Sequence, residues 1–148
     1  MRHQWSILCT RSIVDDTTKN ISLLDVIDEV QLRPAEPVTP ERALLVPVQW
    51  AFVTTWMRSD VATPEGVLQQ RLRLLEPQGA TMFEGAPVDI NLQDFIRMRS
   101  IALIQELLLP REGAYYFVIE SRPGADAPWT EVGRVPLIVR FEAPVPAP

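Results

Sequence analysis

The feature that most constrains the fold is the stretch of residues 43–56, ALLVPVQWAFVTTW. Every second residue from Leu44 to Trp56 is apolar except Thr54, and the interleaved residues are less apolar. Side chains alternate between the two faces of a β-strand, and β-branched and aromatic residues suit a half-buried pleated surface. The pattern therefore predicts a long strand against which other strands pack. Pro47 cannot donate a ladder hydrogen bond, so we expect an edge or a bulge at that position.

Further strand-like segments, separated by turn residues, follow along the chain: residues 4–14, 21–32, 67–76, 81–83, 88–92, 114–122 and 129–141. The first two flank a short polar turn and predict a hairpin. Asp28 interrupts the apolar face of the second segment, and either a bulge or burial on both faces would explain it. In the last segment, alternation places Trp129 on the apolar face with Val135 and Leu137.

Residues 96–109 fit two structures. Helical spacing relates four apolar residues, Ile101, Ile104, Leu107 and Leu108, and the local propensity also favours a helix slightly. Strand alternation would instead place another set on one face, namely Met98, Ala102, Ile104 and Leu108. We predict a strand because strands flank the segment on both sides, and the helix remains the alternative.

No alternation of strands and helices appears, which argues against a parallel α/β fold. We predict an all-β protein with little helix: a single antiparallel β-sandwich of about eight strands, of jelly-roll, immunoglobulin-like or C2-like type. A chain of 148 residues suits one domain, which we place at residues 1–142. Residues 143–148 (APVPAP) form a proline-rich tail that cannot join a sheet.

Charge and hydropathy disfavour several partners. The net charge of −5 argues against binding to nucleic acid or to an anionic membrane. No run approaches the roughly 20 apolar residues of a membrane helix, and residues 1–11 lack the apolar core of a secretory leader, so we expect a cytoplasmic protein.

The arginines lie in same-face pairs that predict solvated surfaces: Arg71 and Arg73, Arg97 and Arg99, Arg134 and Arg140.

Two single residues limit the available chemistry. Cys9 is the only cysteine, which excludes an intramolecular disulfide, and its position within a strand predicts an inert, partly buried thiol. His3 is the only histidine, so a structural zinc site or a histidine-based triad would depend on it. We expect His3 to be solvated in a mobile terminus. With only 6 glycines and no phosphate-binding loop, nucleotide binding has no support.

Three other kinds of site have weak support in the sequence. Loop carboxylates that could bind calcium are better explained as turn formers: Asp15, Asp16, Asp60, Glu65 and Asp126. A tryptophan platform for glycans is opposed by the expected burial of Trp50, Trp56 and Trp129, which leaves Trp5 as the freest. Carboxylates that could meet across strands for glycoside hydrolysis are Asp25, Asp28, Glu29 and Glu106, but no spacing selects them. We therefore expect no catalytic, cofactor-binding or metal-binding residues, and no cofactor.

The order of these segments resembles a family of short, uncharacterised bacterial proteins of unknown function with a predicted β-sandwich fold. The motifs that carry the resemblance span residues 4–141 and lie at residues 8–10 with 27–30, 72–79 (LRLLEPQG), 113–117 (GAYYF) and 132–137 (VGRVPL). In that family a strand also precedes the Gly-x-Tyr turn, which supports a strand at residues 96–109. The resemblance implies no activity and no site residues.

These observations lead to three expectations of function. The first is a non-enzymatic interaction or accessory module, acidic and bacterial, that binds another protein or itself through an edge strand. The second is a ligand-binding sandwich, for a glycan or for calcium with lipid. An enzyme with an unrecognised carboxylate site ranks third, because no site is visible in the sequence.

Overall fold

The computed structural model describes residues 1–143, which form ten β-strands and no α-helix. In chain order, β1 to β10 are Arg2–Val14, Ile21–Val26, Glu29–Leu32, Leu44–Met57, Val67–Leu75, Thr81–Glu84, Val88–Asn91, Arg97–Leu109, Gly113–Arg122 and Thr130–Phe141. No helix long and apolar enough to cross a membrane occurs in this part of the chain. Apart from residue 143, the predicted tail lies outside the described residues.

Two sheets pack face to face, which confirms the all-β prediction. The four-stranded sheet has the order β2-β1-β4-β8, and the six-stranded sheet has the order β3-β10-β9-β5-β6, with β7 also paired to β5. Every pairing is antiparallel except the one between β3 and β10. We call the face of each sheet that contacts the other sheet its inner face, and the opposite face its outer face.

Strand β4 lies between β1 and β8, as its apolar pattern predicts. Of its inner side chains, Phe52 and Trp56 are almost completely buried in the core between the sheets, and those from Leu44 to Trp50 are partly buried against it. Phe52 packs on Phe117 of the other sheet with ring centroids 5.2 Å apart. The expected irregularity at Pro47 is confirmed, because the register of β4 against β8 shifts between Pro47 and Trp50.

The predicted strand at residues 21–32 is two strands that belong to different sheets. β2 pairs antiparallel with β1, completing the predicted hairpin, whereas β3 pairs parallel with β10. Backbone hydrogen bonds hold the crossing on both sides: Ile27 donates to the carbonyl of Leu8, and Ile138 donates to the carbonyl of Asp28 (both 2.8 Å). A change of sheet therefore explains the pattern around Asp28, and neither of the two expected explanations does. This split contributes to the count of ten strands instead of about eight.

Residues 96–109 contain the strand β8, so the strand prediction is confirmed and the helix alternative is wrong. Met98, Ala102 and Ile104 pack into the core as alternation predicts. The expected burial of Leu108 is wrong, since it is 48% exposed while Leu107 is buried. The register shift in the β4–β8 pairing changes which residues of β8 face inward.

The β1–β2 hairpin folds over the outer face of the four-stranded sheet. Its residues Ile21 and Leu23 pack against a second buried cluster formed by Cys9, Ala51 and Val53. At the hairpin turn, the carbonyl of Lys19 accepts a hydrogen bond (2.8 Å) from the guanidinium of Arg99, which lies on β8. Because β8 is two strands away from β1 in the sheet order, this contact shows that the hairpin crosses above β4.

Candidate functional site

Strand β8 is the longest unpaired sheet edge among residues 1–143. It pairs with β4 on one side only, and its 13 residues compare with 6 in the other edge strand of that sheet, β2. The edge strands β3 and β6 of the other sheet have 4 residues each. Proteins usually keep edge strands short, charged or interrupted by proline, because a free edge can pair with another chain. The edge of β8 is thus the main opportunity for strand pairing in the described chain.

The direction of the free backbone groups on β8 follows from one hydrogen bond. The amide of Arg58 donates to the carbonyl of Ile96 (2.9 Å), in the same register as the β4–β8 pairing. Hydrogen-bonded and non-bonded pairs alternate in an antiparallel ladder. Even-numbered residues up to Ile104 therefore point their backbone groups at β4. The odd-numbered residues point theirs at the free edge: Arg97, Arg99, Ile101 and Leu103.

The side chains of this edge are mainly apolar at its centre. Ile101 and Leu103 lie on the outer face and are 42% and 73% exposed. Residues 100–105 (SIALIQ) contain no charge and no proline, the two devices that commonly protect a free edge. Arg97 stands before this segment and Glu106 after it, and both are exposed. We call residues 97–108 of β8 the β8 edge surface.

A groove of about 320 Å³ follows the β8 edge surface where the two sheets separate. Its lining is mostly apolar and comes from both sheets, with Leu107 and Leu108 from β8, and Leu74, Met82 and Phe83 from β5 and β6. Phe83 is 46% exposed although it is aromatic. A strand paired with β8 would direct every second side chain toward this groove.

A second, more open groove lies on the outer face, with a volume of about 860 Å³. It opens where β1 leaves β4, between Thr10–Ser12 of the hairpin base, the stretch around Gln49, and β8. Leu103, Ile104 and Gln105 border both this groove and the groove at the edge. The centre of the β8 edge surface is therefore accessible from two sides.

A cluster of paired charges lies on the outer face of the six-stranded sheet. Glu120 is buried and accepts hydrogen bonds from Arg71 (2.6 Å) and Arg73 (2.9 and 3.1 Å). The expectation that Arg71 and Arg73 form a solvated face is wrong, because both are only partly exposed and paired with this carboxylate. The charges of this cluster pair with one another across neighbouring strands, so no bound ligand is needed to explain them.

The sequence predicts that Trp129 lies in the core, and this prediction is wrong. It precedes β10, and its ring contacts two guanidinium groups, whose Cζ atoms lie 4.3 Å (Arg122) and 4.5 Å (Arg71) from the ring centroid. A register shift between Glu131 and Gly133 interrupts the alternation on which the prediction relied. The expected burial of Trp56 is confirmed, and Trp50 packs against the core. Trp5 is partly buried against the Cys9 cluster.

His3 lies within β1 and not in a solvated, mobile terminus, so that expectation is wrong. Its ring contacts Trp56 edge-to-face at 5.7 Å, and its Nε2 is 2.8 Å from the hydroxyl of Ser6, which donates to Thr54 (3.1 Å). Burial lowers the pKa of His3, against a smaller opposite effect of the backbone at Trp5. No carboxylate orients the His3 ring in the hydrogen-bonded series His3–Ser6–Thr54. These side chains therefore lack the third member of a catalytic triad.

Cys9 is completely buried beneath the hairpin, and its Sγ donates to the carbonyl of Ala51 (3.5 Å). Burial raises the pKa of the thiol, while the backbone at Arg11 lowers it by less. A buried thiol with a raised pKa is a poor nucleophile, which agrees with the expectation of an inert cysteine.

The loop carboxylates considered for calcium are dispersed, and two of them, Asp15 and Asp60, form turns. Asp15 accepts hydrogen bonds from the amides of Thr17 and Thr18, and these bonds contribute to a lowered pKa. Asp60 accepts a hydrogen bond from the hydroxyl of Thr63 (2.6 Å) and one from the amide of Ala62 (3.1 Å), and these bonds lower its pKa. Glu65 contacts the N-terminal ammonium, and Asp16 and Asp126 are exposed. Within residues 1–143, no three carboxylate, histidine or cysteine side chains lie together in a way that could hold a metal ion.

The carboxylates considered for glycoside hydrolysis are likewise dispersed. Asp25 accepts a hydrogen bond from Thr10 (3.2 Å) on the four-stranded sheet. Asp28 lies in the crossing between sheets, and Glu29 forms an ion pair with Arg140 (2.9 Å) on the other sheet. Glu106 lies on β8, across the strand order from β2. The structure does not bring these side chains to one site.

Sequence reasoning missed the β8 edge surface as a site because alternation does not reveal which strands lie at an edge. The only available signal was the uncharged run at residues 100–105 between Arg99 and Glu106. No protein-family model and no curated protein matches this chain. The resemblance to a bacterial family therefore remains a prediction.

Proposed function

We propose that this protein is an interaction module that binds an extended protein segment by strand addition along β8. The observation that carries the proposal is the unpaired 13-residue edge, whose centre is apolar and uncharged. In this mode of binding, backbone hydrogen bonds supply affinity and pockets for alternate side chains supply specificity. Leu103 and its neighbours would provide the hydrogen-bonding edge, and the groove lined by Phe83 would receive side chains.

Display selection of extended peptides against the full chain tests this proposal. Leu103→Pro removes one edge amide without removing an amide that is bonded to β4. We expect selected peptides to bind this variant about tenfold more weakly, since a lost bond also leaves a carbonyl unpaired. The matched control, Leu103→Ala, keeps the amide and should lose less peptide affinity than Leu103→Pro. Peptides that bind Leu103→Pro as tightly as the parent protein would show that β8 is not the binding edge.

Affinity capture from the native host then relates the edge to a natural partner. The parent protein and Leu103→Pro are compared side by side, and mass spectrometry measures recovery. We expect a partner recovered at near-equal stoichiometry with the parent protein to be lost with Leu103→Pro and kept with Leu103→Ala. Equal recovery with all three proteins would assign the partner to another surface.

A ligand-binding function is the second candidate, and the open groove beside Thr10, Gln49 and Gln105 favours it. Grooves of this size with a few polar groups among apolar ones suit a small molecule. Its chemistry favours a glycan over calcium, because calcium needs several converging oxygens. Melting temperatures measured with a glycan panel and with calcium test this function, since a ligand of the folded state raises apparent stability. No shift with either would count against it.

We propose a non-enzymatic β-sandwich, of jelly-roll, immunoglobulin-like or C2-like type, that acts in a bacterial cytoplasm. Its net charge of −5 supports a protein partner over nucleic acid or an anionic membrane.

A further inference from the structure

We infer that the segment paired with β8 is β8 of a second copy of this chain, so that two four-stranded sheets join into one eight-stranded sheet. This inference rests on the proposed use of the β8 edge surface and adds the identity of the partner. A pair of identical antiparallel strands has two-fold symmetry, and each residue contact then occurs twice. The edge must therefore be complementary to itself.

The charges of β8 satisfy this requirement. Arg97 and Arg99 lie at the start of the strand, and Glu106 lies near its end. An antiparallel second copy brings the basic end of each strand beside the acidic end of the other. Arg97 has no ion pair elsewhere within residues 1–143. Opposite charges fix register and orientation at an interface, whereas a parallel copy would oppose like charges.

The backbone groups are also arranged for a symmetric pair. A two-fold axis perpendicular to the sheet at Ala102 places Ile101 of each copy opposite Leu103 of the other copy. All these residues point their amide and carbonyl groups at the free edge, so two hydrogen-bonded pairs form and provide about four backbone bonds. The same register keeps both aliphatic side chains on the outer face, where they cover each other.

Analytical ultracentrifugation of the full chain over a wide concentration range tests the inference. We expect a reversible monomer–dimer equilibrium. Leu103→Pro removes one bond in each half of the symmetric pair and should weaken association about tenfold or more. If Leu103→Pro fails to fold, Leu103→Lys replaces it, since this side chain is mostly exposed and two lysines would meet near the axis.

Charge reversal distinguishes this register from other modes of association. Arg97→Glu and Glu106→Arg should each weaken the dimer by about threefold, whereas the double variant restores the opposite charges and should return to within about twofold of the parent protein. A chain that stays monomeric throughout, a dimer insensitive to Leu103→Pro or Leu103→Lys, or no restoration in the double variant would overturn the inference. A monomeric chain whose selected peptides still depend on the Leu103 amide would retain the proposed function and reject only the second copy as partner.

Discussion

At the scale of single residues, His3 links pH to stability. Its ring packs between Trp56 and the backbone of Gly133, where an added Cβ would approach the imidazole to 2.9 Å. Burial lowers its pKa below the ordinary value near 6.5. Such a packed imidazole resists protonation in the folded state, although the unfolded chain accepts the proton freely.

We therefore expect the free energy of unfolding to decrease as the pH falls below about 6.5. The unfolded state binds the extra proton first, so this part of the stability is complete above that pH and is lost as the pH falls through the lowered pKa of the folded state. Urea denaturation at a series of pH values measures the effect, and His3→Gln should flatten the curve between pH 5 and 7. An unchanged slope in His3→Gln would assign the pH dependence to other groups.

Gly113 occupies a backbone conformation that favours glycine, with a φ of +133°, and a Cβ there would lie 2.8 Å from the ring of Pro77. We expect Gly113→Ala to lower the free energy of unfolding by about 1–3 kcal/mol through backbone strain and contact. Gly124→Ala is the matched control, because a Cβ added at Gly124 would have no neighbouring atom within 4 Å. Equal denaturation midpoints for the two variants would contradict the tight turn at Gly113.

At the level of secondary structure, neighbouring residues of β8 differ in whether they tolerate substitution by proline. The amide of Ala102 points at β4, whereas that of Leu103 points at the free edge. We expect Ala102→Pro to unfold the protein or lower its melting temperature strongly, and Leu103→Pro to keep the fold, because proline removes a ladder bond only at Ala102. Circular dichroism melts compare the two. The reverse order would show that the register of β8 is displaced by one residue.

The arginine–glutamate cluster joins β5 to β9 through the buried carboxylate of Glu120. Glu120→Gln should lower the free energy of unfolding by about 1–3 kcal/mol, since it leaves the partly buried Arg73 without a carboxylate and Arg71 with only the exposed Glu84. The exposed pair of Glu131 and Arg134 is the control, and Glu131→Gln should cost about 0.5 kcal/mol or less. Similar costs in chemical denaturation would contradict the different burial of the two pairs.

Elements with regular alternation were predictable from the sequence, and so was the irregularity at Pro47, because proline cannot donate to the ladder. The sequence did not predict how a register shift changes the face of the residues beyond it. The central strand β4 and the buried face of β5, with Leu72 and Leu74, follow from local pattern. Trp129 and Leu108 were misplaced because shifts in strand pairing reverse the faces, and such shifts depend on the partner strand. The β8 edge surface depends on strand order, a property of long-range contacts that a local pattern does not contain.

At the scale of the whole molecule, the hairpin over the outer face forms a partial third layer. Arg99 contacts its turn through the carbonyl of Lys19, and Cys9 lies beneath it. Because Cys9 is the only thiol, its labelling rate reports opening of this layer.

We expect Arg99→Ala to accelerate labelling of Cys9 by an aromatic disulfide reagent by about fivefold. The variant loses the hydrogen bond that ties the hairpin turn at Lys19 to β8. Global stability in urea should change by only about 1 kcal/mol. Arg97→Ala, exposed on the same strand, serves as the control. Identical labelling rates in both variants would show that the hairpin is held by other contacts, such as those of Ile21 and Leu23.

The position of β1 and β10 also determines how the molecule responds to mechanical force. Arg2 lies near the end of the molecule where His3 meets Gly133, and β10 runs on from Gly133 for eight residues, about 27 Å, to Phe141. Tension applied between Arg2 and Phe141 pulls β1 along the direction of its ladder with β4. The bonds of that ladder then bear the load together, in shear, and do not open one after another. We expect this strand arrangement to resist stretching regardless of what binds at β8.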